Sequence, residues 1–338
     1  MNKKRVLAML LAGAMALSMT ACGGNSASTD GSSNDGGASA SGGSYKVSVI
    51  LKTLAAEYWQ YVKSGAEDYA SEHSDKVTVE VKGPSSETAF DEMQNMIETD
   101  LSSGSYDGIV ISPLQSDTAA QLVSGTKLPI VAIDTNFTAP EVKSFVGTGN
   151  EAAAKKGGEA AVEAAKAAGW TDIKCIEIAG VQGDQTNTAR MNGYKAGVEE
   201  AGGTFLSDEV QYADATADRA TTAMEAIMQT HPEGIAIICA NNDDMAMAAA
   251  RAAQSHDAYK NTIFIGFNGD RAACEAILTG QMTMSVAQMA YEMGYKAVET
   301  MVQVLDGETV DEFVDSGSDV VTPDNAQERL DTLKTQLH

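Results

Sequence analysis

Positive charge is scarce in this chain. Its 338 residues carry 23 Lys and Arg against 47 Asp and Glu, a formal net charge of −24. A polyanion of that size repels phosphate backbones, which excludes nucleic acid as a partner. Cysteine is scarce as well: Cys22, Cys175, Cys239 and Cys274 are too few and too scattered for a disulfide scaffold or a zinc site. His73, His231, His256 and His338 sit apart in polar contexts, so neither a triad nor a metal site assembles around them. Apolar residues are plentiful, at 43% against 21% charged, enough for a sizeable core and too much for wholesale disorder. The length suits two ordinary domains or one large one.

The first residues read as an address. Lys3, Lys4 and Arg5 precede an apolar stretch at 6–19, about 14 residues long, too short for a comfortable membrane span and suited to a signal sequence. It ends in Met19-Thr20-Ala21-Cys22, which resembles a bacterial lipobox with Met in place of the usual Leu. That resemblance implies a signal peptide at 1–21, cleavage before Cys22 and lipidation of its thiol; two acyl chains suffice for stable anchoring. Residues 22–44, rich in Gly, Ser, Ala and Asn, form a flexible tether of roughly 25 Å reach.

From Tyr45 the pattern alternates strand and helix. Apolar β-rich runs recur at 46–51, 77–81, 108–111, 130–133, 173–178, 235–239 and 263–267. Amphipathic helical stretches lie between them, as at 57–72, 152–168 and 216–229. Near-continuous apolar strands alternating with helices predict an α/β fold with parallel sheets covered on both faces. About 290 residues are too many for one small doubly wound sheet, which favours two lobes; an eight-stranded α/β barrel is the competitor on pattern alone.

In open parallel sheets, ligands bind beyond the carboxyl ends of the strands. The residues there are Lys52, with Tyr58 and Trp59 entering the first helix, Asp134 and Asn136 after the 130–133 run, and Arg190 early in a helix after a Gly-rich turn. Asn242, Asn268 and Gln288 follow the later runs. Aromatics, amides, one carboxylate and two cations suit a neutral, hydroxyl-rich small molecule: rings cover its C–H faces, and charged groups bracket its hydroxyls. Arg190, with its planar fork, is the candidate clamp. Asp243 or Asp244 reads as a helix cap. The Asn241 to Asp244 run lacks the spacing of a calcium loop, so no metal and no cofactor are expected.

Several segments together resemble periplasmic sugar-binding proteins of the ribose/allose type. They are Lys52-Thr-Leu-Ala-Ala-Glu-Tyr-Trp59, Asp107-Gly-Ile-Val-Ile-Ser-Pro113, Pro129-Ile-Val-Ala-Ile-Asp134 and Arg190-Met-Asn-Gly-Tyr194. Cys239-Ala-Asn-Asn-Asp-Asp-Met-Ala246, Ile265-Gly-Phe-Asn-Gly269 and Gly280-Gln-Met-Thr-Met-Ser-Val-Ala-Gln288 follow in the same order. The resemblance implies two Rossmann-like lobes joined by a three-strand hinge. It places an N-terminal lobe at 45–148 plus 289–317 and a C-terminal lobe at 149–288 plus 318–338. It makes Lys52, Tyr58, Trp59, Asp134, Arg190, Asn242 and Gln288 ligand contacts. Asn268 stands where the family usually has Asp. Ala56, Thr135 and Ala215 replace an Asn, an Arg and an aromatic, which opens room on one side of the cleft.

The function expected on these grounds is a lipid-anchored, monomeric solute-binding protein that captures a sugar or polyol for an ABC permease with its ATPase, outside the cytoplasm and without catalysis. A sensory receptor for a sugar-like signal, reporting to a membrane kinase or chemoreceptor, is the alternative on the same fold. An enzyme would need a general acid/base pair, which Asp134 alone does not supply. Replacing Trp59 or Arg190 by Ala is expected to weaken binding without changing ligand-free melting.

Overall fold

The computed structural model describes residues 44–337. The segment 1–21, Cys22 and all but the last residue of the tether lie outside the described residues.

The chain runs β1 (Tyr45–Ile50), α1 (Glu57–Glu72), β2 (Val77–Lys82), α2 (Phe90–Ser103), β3 (Gly108–Ile111), α3 (Ser116–Val123), β4 (Ile130–Ile133) and β5 (Val142–Gly147). It continues with α4 (Asn150–Ala167), β6 (Lys174–Ala179), α5 (Gln185–Glu200), β7 (Thr204–Phe205), β8 (Gln211–Tyr212), α6 (Ala217–Thr230) and β9 (Ile237–Ala240). Then come α7 (Asp243–Ala253), β10 (Ile263–Asn268), α8 (Arg271–Leu278) and β11 (Met284–Gln288). The last elements are α9 (Ala290–Leu305), β12 (Phe313–Asp315), β13 (Ser318–Val321) and α10 (Ala326–Thr335).

Two open sheets result, so the barrel alternative is excluded. One has the order β12-β5-β4-β3-β1-β2, all parallel. The other has the order β13-β11-β10-β9-β6-β7, with β8 also on β6, and is parallel except for β13. The central strands are apolar along their whole length because helices cover both faces: every residue of β3, β4, β9 and β11 is buried. Met93, Met224 and Met301 are buried within the helix layers as core residues.

In each lobe one pair of helices is drawn into backbone contact by glycine. A Cβ at Gly65 of α1 would collide with the Tyr291 carbonyl of α9, and one at Gly294 of α9 with the Val62 carbonyl of α1. Gly193 and Gly197 of α5 meet the Glu151 and Lys155 carbonyls of α4 in the same way. These crossings fix α1, whose first turn carries Tyr58 and Trp59, and α5, whose second turn carries Arg190.

The chain passes between the lobes three times: from β5 to α4, from β11 to α9 and from β12 to β13. The crossings lie side by side. Ser316 N donates to Gly147 O at 2.8 Å, the buried hydroxyls of Thr148 and Ser316 are 3.4 Å apart, and Gln288 pairs with Ser318. One local expectation is revised. Asn242, not Asp243 or Asp244, caps α7, accepting from Met245 N at 2.9 Å. Asp243 turns inward and is fully buried.

Candidate functional site

The first wall forms where β1 and β4 end and α1 begins. Asp134 follows β4 in a tight turn closed by Thr135 N donating to Ile133 O at 2.7 Å. Its φ of 63° lies in the left-handed region that L side chains avoid, a strain of the kind stored at functional sites. Three neighbours converge on its carboxylate. The Tyr58 hydroxyl donates to Oδ2 at 2.8 Å, the Thr135 hydroxyl to Oδ1 at 2.9 Å, and Lys52 Nζ lies 3.8 Å from Oδ1. Burial, with Asp134 beside it, pushes the Tyr58 hydroxyl well above its ordinary pKa, so it stays a donor. The Trp59 ring meets Tyr58 edge to face at 5.0 Å, and its Nε1 donates to Glu87 Oε1 at 2.7 Å. Both aromatics are buried, Trp59 with 3% of its surface exposed.

The second wall is built on α5, β9, β10 and β11. Arg190 lies with its guanidinium 3.8 Å above the Phe267 ring, Nε donating to Asn150 Oδ1 at 2.8 Å and Nη1 to the Asn241 carbonyl at 2.9 Å. Burial lowers its pKa from the ordinary guanidinium value. Gln288 Nε2 donates to Asn268 Oδ1 at 2.9 Å, and Asn268 holds a strained φ of 133°. Asn242 Nδ2 donates to the carbonyl of Ala215, itself at φ 58°.

The walls face one another: Glu57 at the start of α1 is bonded to Arg271 at the start of α8. Lys52, Tyr58, Trp59 and Asp134 thus form one group, and Arg190, Asn242, Asn268 and Gln288 a second opposite it. Asn136 is not brought in: it is exposed, and its Oδ1 accepts from the adjacent Phe137 N at 2.8 Å. Sequence reading missed the supports. Glu87 and Asn150 hold Trp59 and Arg190 by hydrogen bonds, and the Phe267 ring lies under the Arg190 guanidinium.

A model of the periplasmic binding protein domain matches residues 47–309. The chain belongs to the periplasmic binding protein family. The D-allose-binding periplasmic protein of Escherichia coli K12 is 30% identical over 264 residues, spanning 75% of this chain and 82% of that one. The ribose import binding protein of the same organism is 27% identical over 267 residues, 78% of this chain and 86% of that one. Among solved structures, a carbohydrate transporter solute-binding protein from Agrobacterium radiobacter in complex with D-arabinose superposes with a TM-score of 0.75 at 24% identity, over 87% of this chain and 99% of that one. The two parallel-sheet lobes are those of a type I periplasmic binding protein, and membership places the protein outside the cytoplasm. These relatives are binding proteins.

Proposed function

We propose that this protein captures a monosaccharide or related polyol between its lobes and delivers it, chemically unchanged, to an ABC permease with its ATPase. The observation that carries this reading is the opposition of Asp134, with Tyr58 and Lys52, to Arg190, with Asn268 and Gln288, across one cleft. A carboxylate on one wall and a guanidinium on the other can bracket hydroxyls that both donate and accept. Trp59 and Tyr58 add apolar ring surface suited to the C–H face of a sugar ring. Groups from both lobes complete their bonds only when the lobes close, so the ligand shifts the population toward the closed form.

Within this reading, residues 45–148 plus 289–317 and residues 149–288 plus 318–338 are the two moving lobes. Lys52, Tyr58, Trp59, Asp134, Arg190, Asn242, Asn268 and Gln288 are the contacts. Cys22 carries the lipid that holds the protein at the membrane. Isothermal titration with ribose, allose, other monosaccharides and polyols is the test, with the bound sugar recovered unaltered by NMR; silence across the panel would refute the reading. Labelled palmitate should enter the wild-type protein and not Cys22→Ser.

A further inference from the structure

Asp270 occupies the N-cap position of α8, where an aspartate ordinarily turns its carboxylate back onto the free N–H groups of its own helix. It makes no such bond. Among the described residues its carboxylate accepts one long hydrogen bond, from Asn268 Nδ2 at 3.5 Å, and no cationic nitrogen lies within ion-pair distance. The adjacent Arg271 is taken by Glu57. Arg329 feels the charge of Asp270, but its Nε and Nη2 are committed to the carbonyls of Gly269 and Gln288 at 3.3 and 2.7 Å. Burial above all, and then the neighbouring charges of Asp243, Asp244 and Glu57, push the Asp270 carboxyl well above the ordinary range.

The backbone around this group is built to hold it there. Asp243 Oδ2 accepts from Gly269 N at 2.8 Å and Asp270 N at 3.1 Å, while the Ser285 hydroxyl donates to Asp243 Oδ1 at 2.6 Å. Asn268 and Gly269 hold φ values of 133° and 68° to make the turn. Asp270 stands between Asn268, whose Nδ2 it meets at 3.5 Å, and Arg271, which bonds Glu57 of α1, so it lies where the second wall meets the first. A carboxyl that neither caps its helix nor forms an ion pair, and whose one hydrogen bond is long, adds little to the ligand-free fold.

We propose that Asp270 is a further ligand-contacting and specificity-determining residue, the second wall's counterpart of Asp134, which receives one hydroxyl of the bound polyol. The proposal rests on the sugar-binding reading above. A carboxyl oxygen accepts from that hydroxyl whether the group is ionised or not.

The test uses the mature chain and titrates wild type, Asp270→Ala and Asp270→Asn with the monosaccharide panel and its monodeoxy derivatives. Asp270→Ala should bind the preferred sugar about 10- to 100-fold more weakly. One monodeoxy sugar should lose as much against wild type yet no more against Asp270→Ala, the signature of a direct pair. Ligand-free Asp270→Asn should melt no lower than wild type, since an unpaired carboxyl is removed. Wild-type affinity in Asp270→Ala, or the same deoxy-sugar discrimination in both proteins, overturns the proposal while leaving sugar binding intact. Silence of the wild-type protein removes both readings at once.

Discussion

Arg271, at the start of α8, grips Glu57, at the start of α1, with two hydrogen bonds across the interlobe cleft: Nε to Oε1 at 2.7 Å and Nη2 to Oε2 at 3.2 Å. The Tyr61 hydroxyl donates to the same Oε1 at 2.7 Å. Burial raises the Glu57 pKa, but the bonds from Arg271 and Tyr61 outweigh it and hold the carboxyl below its ordinary value. Both side chains are partly exposed, so the pair is worth only about 0.5–1 kcal/mol, yet all of it acts on the closed form. Arg271→Ala should therefore weaken ligand binding about two- to fivefold, less at high salt, and enlarge the ligand-free radius of gyration in solution scattering. Because the folded pKa is depressed, the latch is complete at neutral pH and is lost as pH falls below the ordinary carboxylate range.

Trp59→Ala tests the ring surface, and its outcome differs from the expectation that melting stays constant. Trp59 is buried in the core that packs α1, so truncation leaves a cavity and costs about 3–5 kcal/mol of stability. Trp59→Phe keeps most of the volume and loses the bond to Glu87. It is the better probe, expected to weaken ligand binding with a smaller fall in melting temperature. Arg190→Lys keeps a charge but cannot reach Asn150 and the Asn241 carbonyl together, so binding should fall by about 2–4 kcal/mol in isothermal titration.

Much of this was legible in the sequence, for a physical reason. The Gly-Ile-Val-Ile of β3 and Ile-Val-Ala-Ile of β4 are buried on both faces and so carry their burial in their composition. Strands β5, β12 and β13 do not: they contain Lys, Ser and Asp and are only part-buried, and their pairing partners define them. The cleft follows the same division. Asp134 and Gln288 stand at strand ends, where a parallel sheet exposes its ligand-facing edge. Glu87, which holds Trp59, and Asn150, which holds Arg190, reach their partners from 28 and 40 residues away, a relationship no local pattern encodes.

Gly65→Ala tests how α1 is set. The added Cβ would strike the Tyr291 carbonyl of α9, which cannot rotate aside as a side chain would. Overpacking of this kind costs about 1–3 kcal/mol, a fall of roughly 2–10 °C in melting temperature. The displaced helix carries Tyr58 and Trp59, so affinity should fall as well. Gly294→Ala meets the Val62 carbonyl of the same crossing and should behave alike. Stability unchanged by either would mean that the crossing relaxes freely.

Glu177, on β6 beneath the second wall, supplies a pH dependence separable from the cleft. It is fully buried, Oε1 accepts a long bond from Asn241 Nδ2 at 3.5 Å, and Oε2 meets no hydrogen-bond partner among the described residues. Burial raises its carboxyl to about 8; the Asn241 bond and the Arg190 charge pull the other way without prevailing. A raised folded pKa means that, between the ordinary carboxylate range and pH 8, the folded protein keeps a proton the unfolded chain has released. Stability must then fall as pH rises through that window and level off above it. Glu177→Gln keeps the shape and removes the titration. Urea unfolding at pH 5, 6.5 and 8 should give a flatter profile for the variant, with its largest advantage, roughly 2–4 kcal/mol, at pH 8. Parallel profiles would mean that the wild-type carboxyl is already ionised at neutral pH, and with it a second charge beside Arg190.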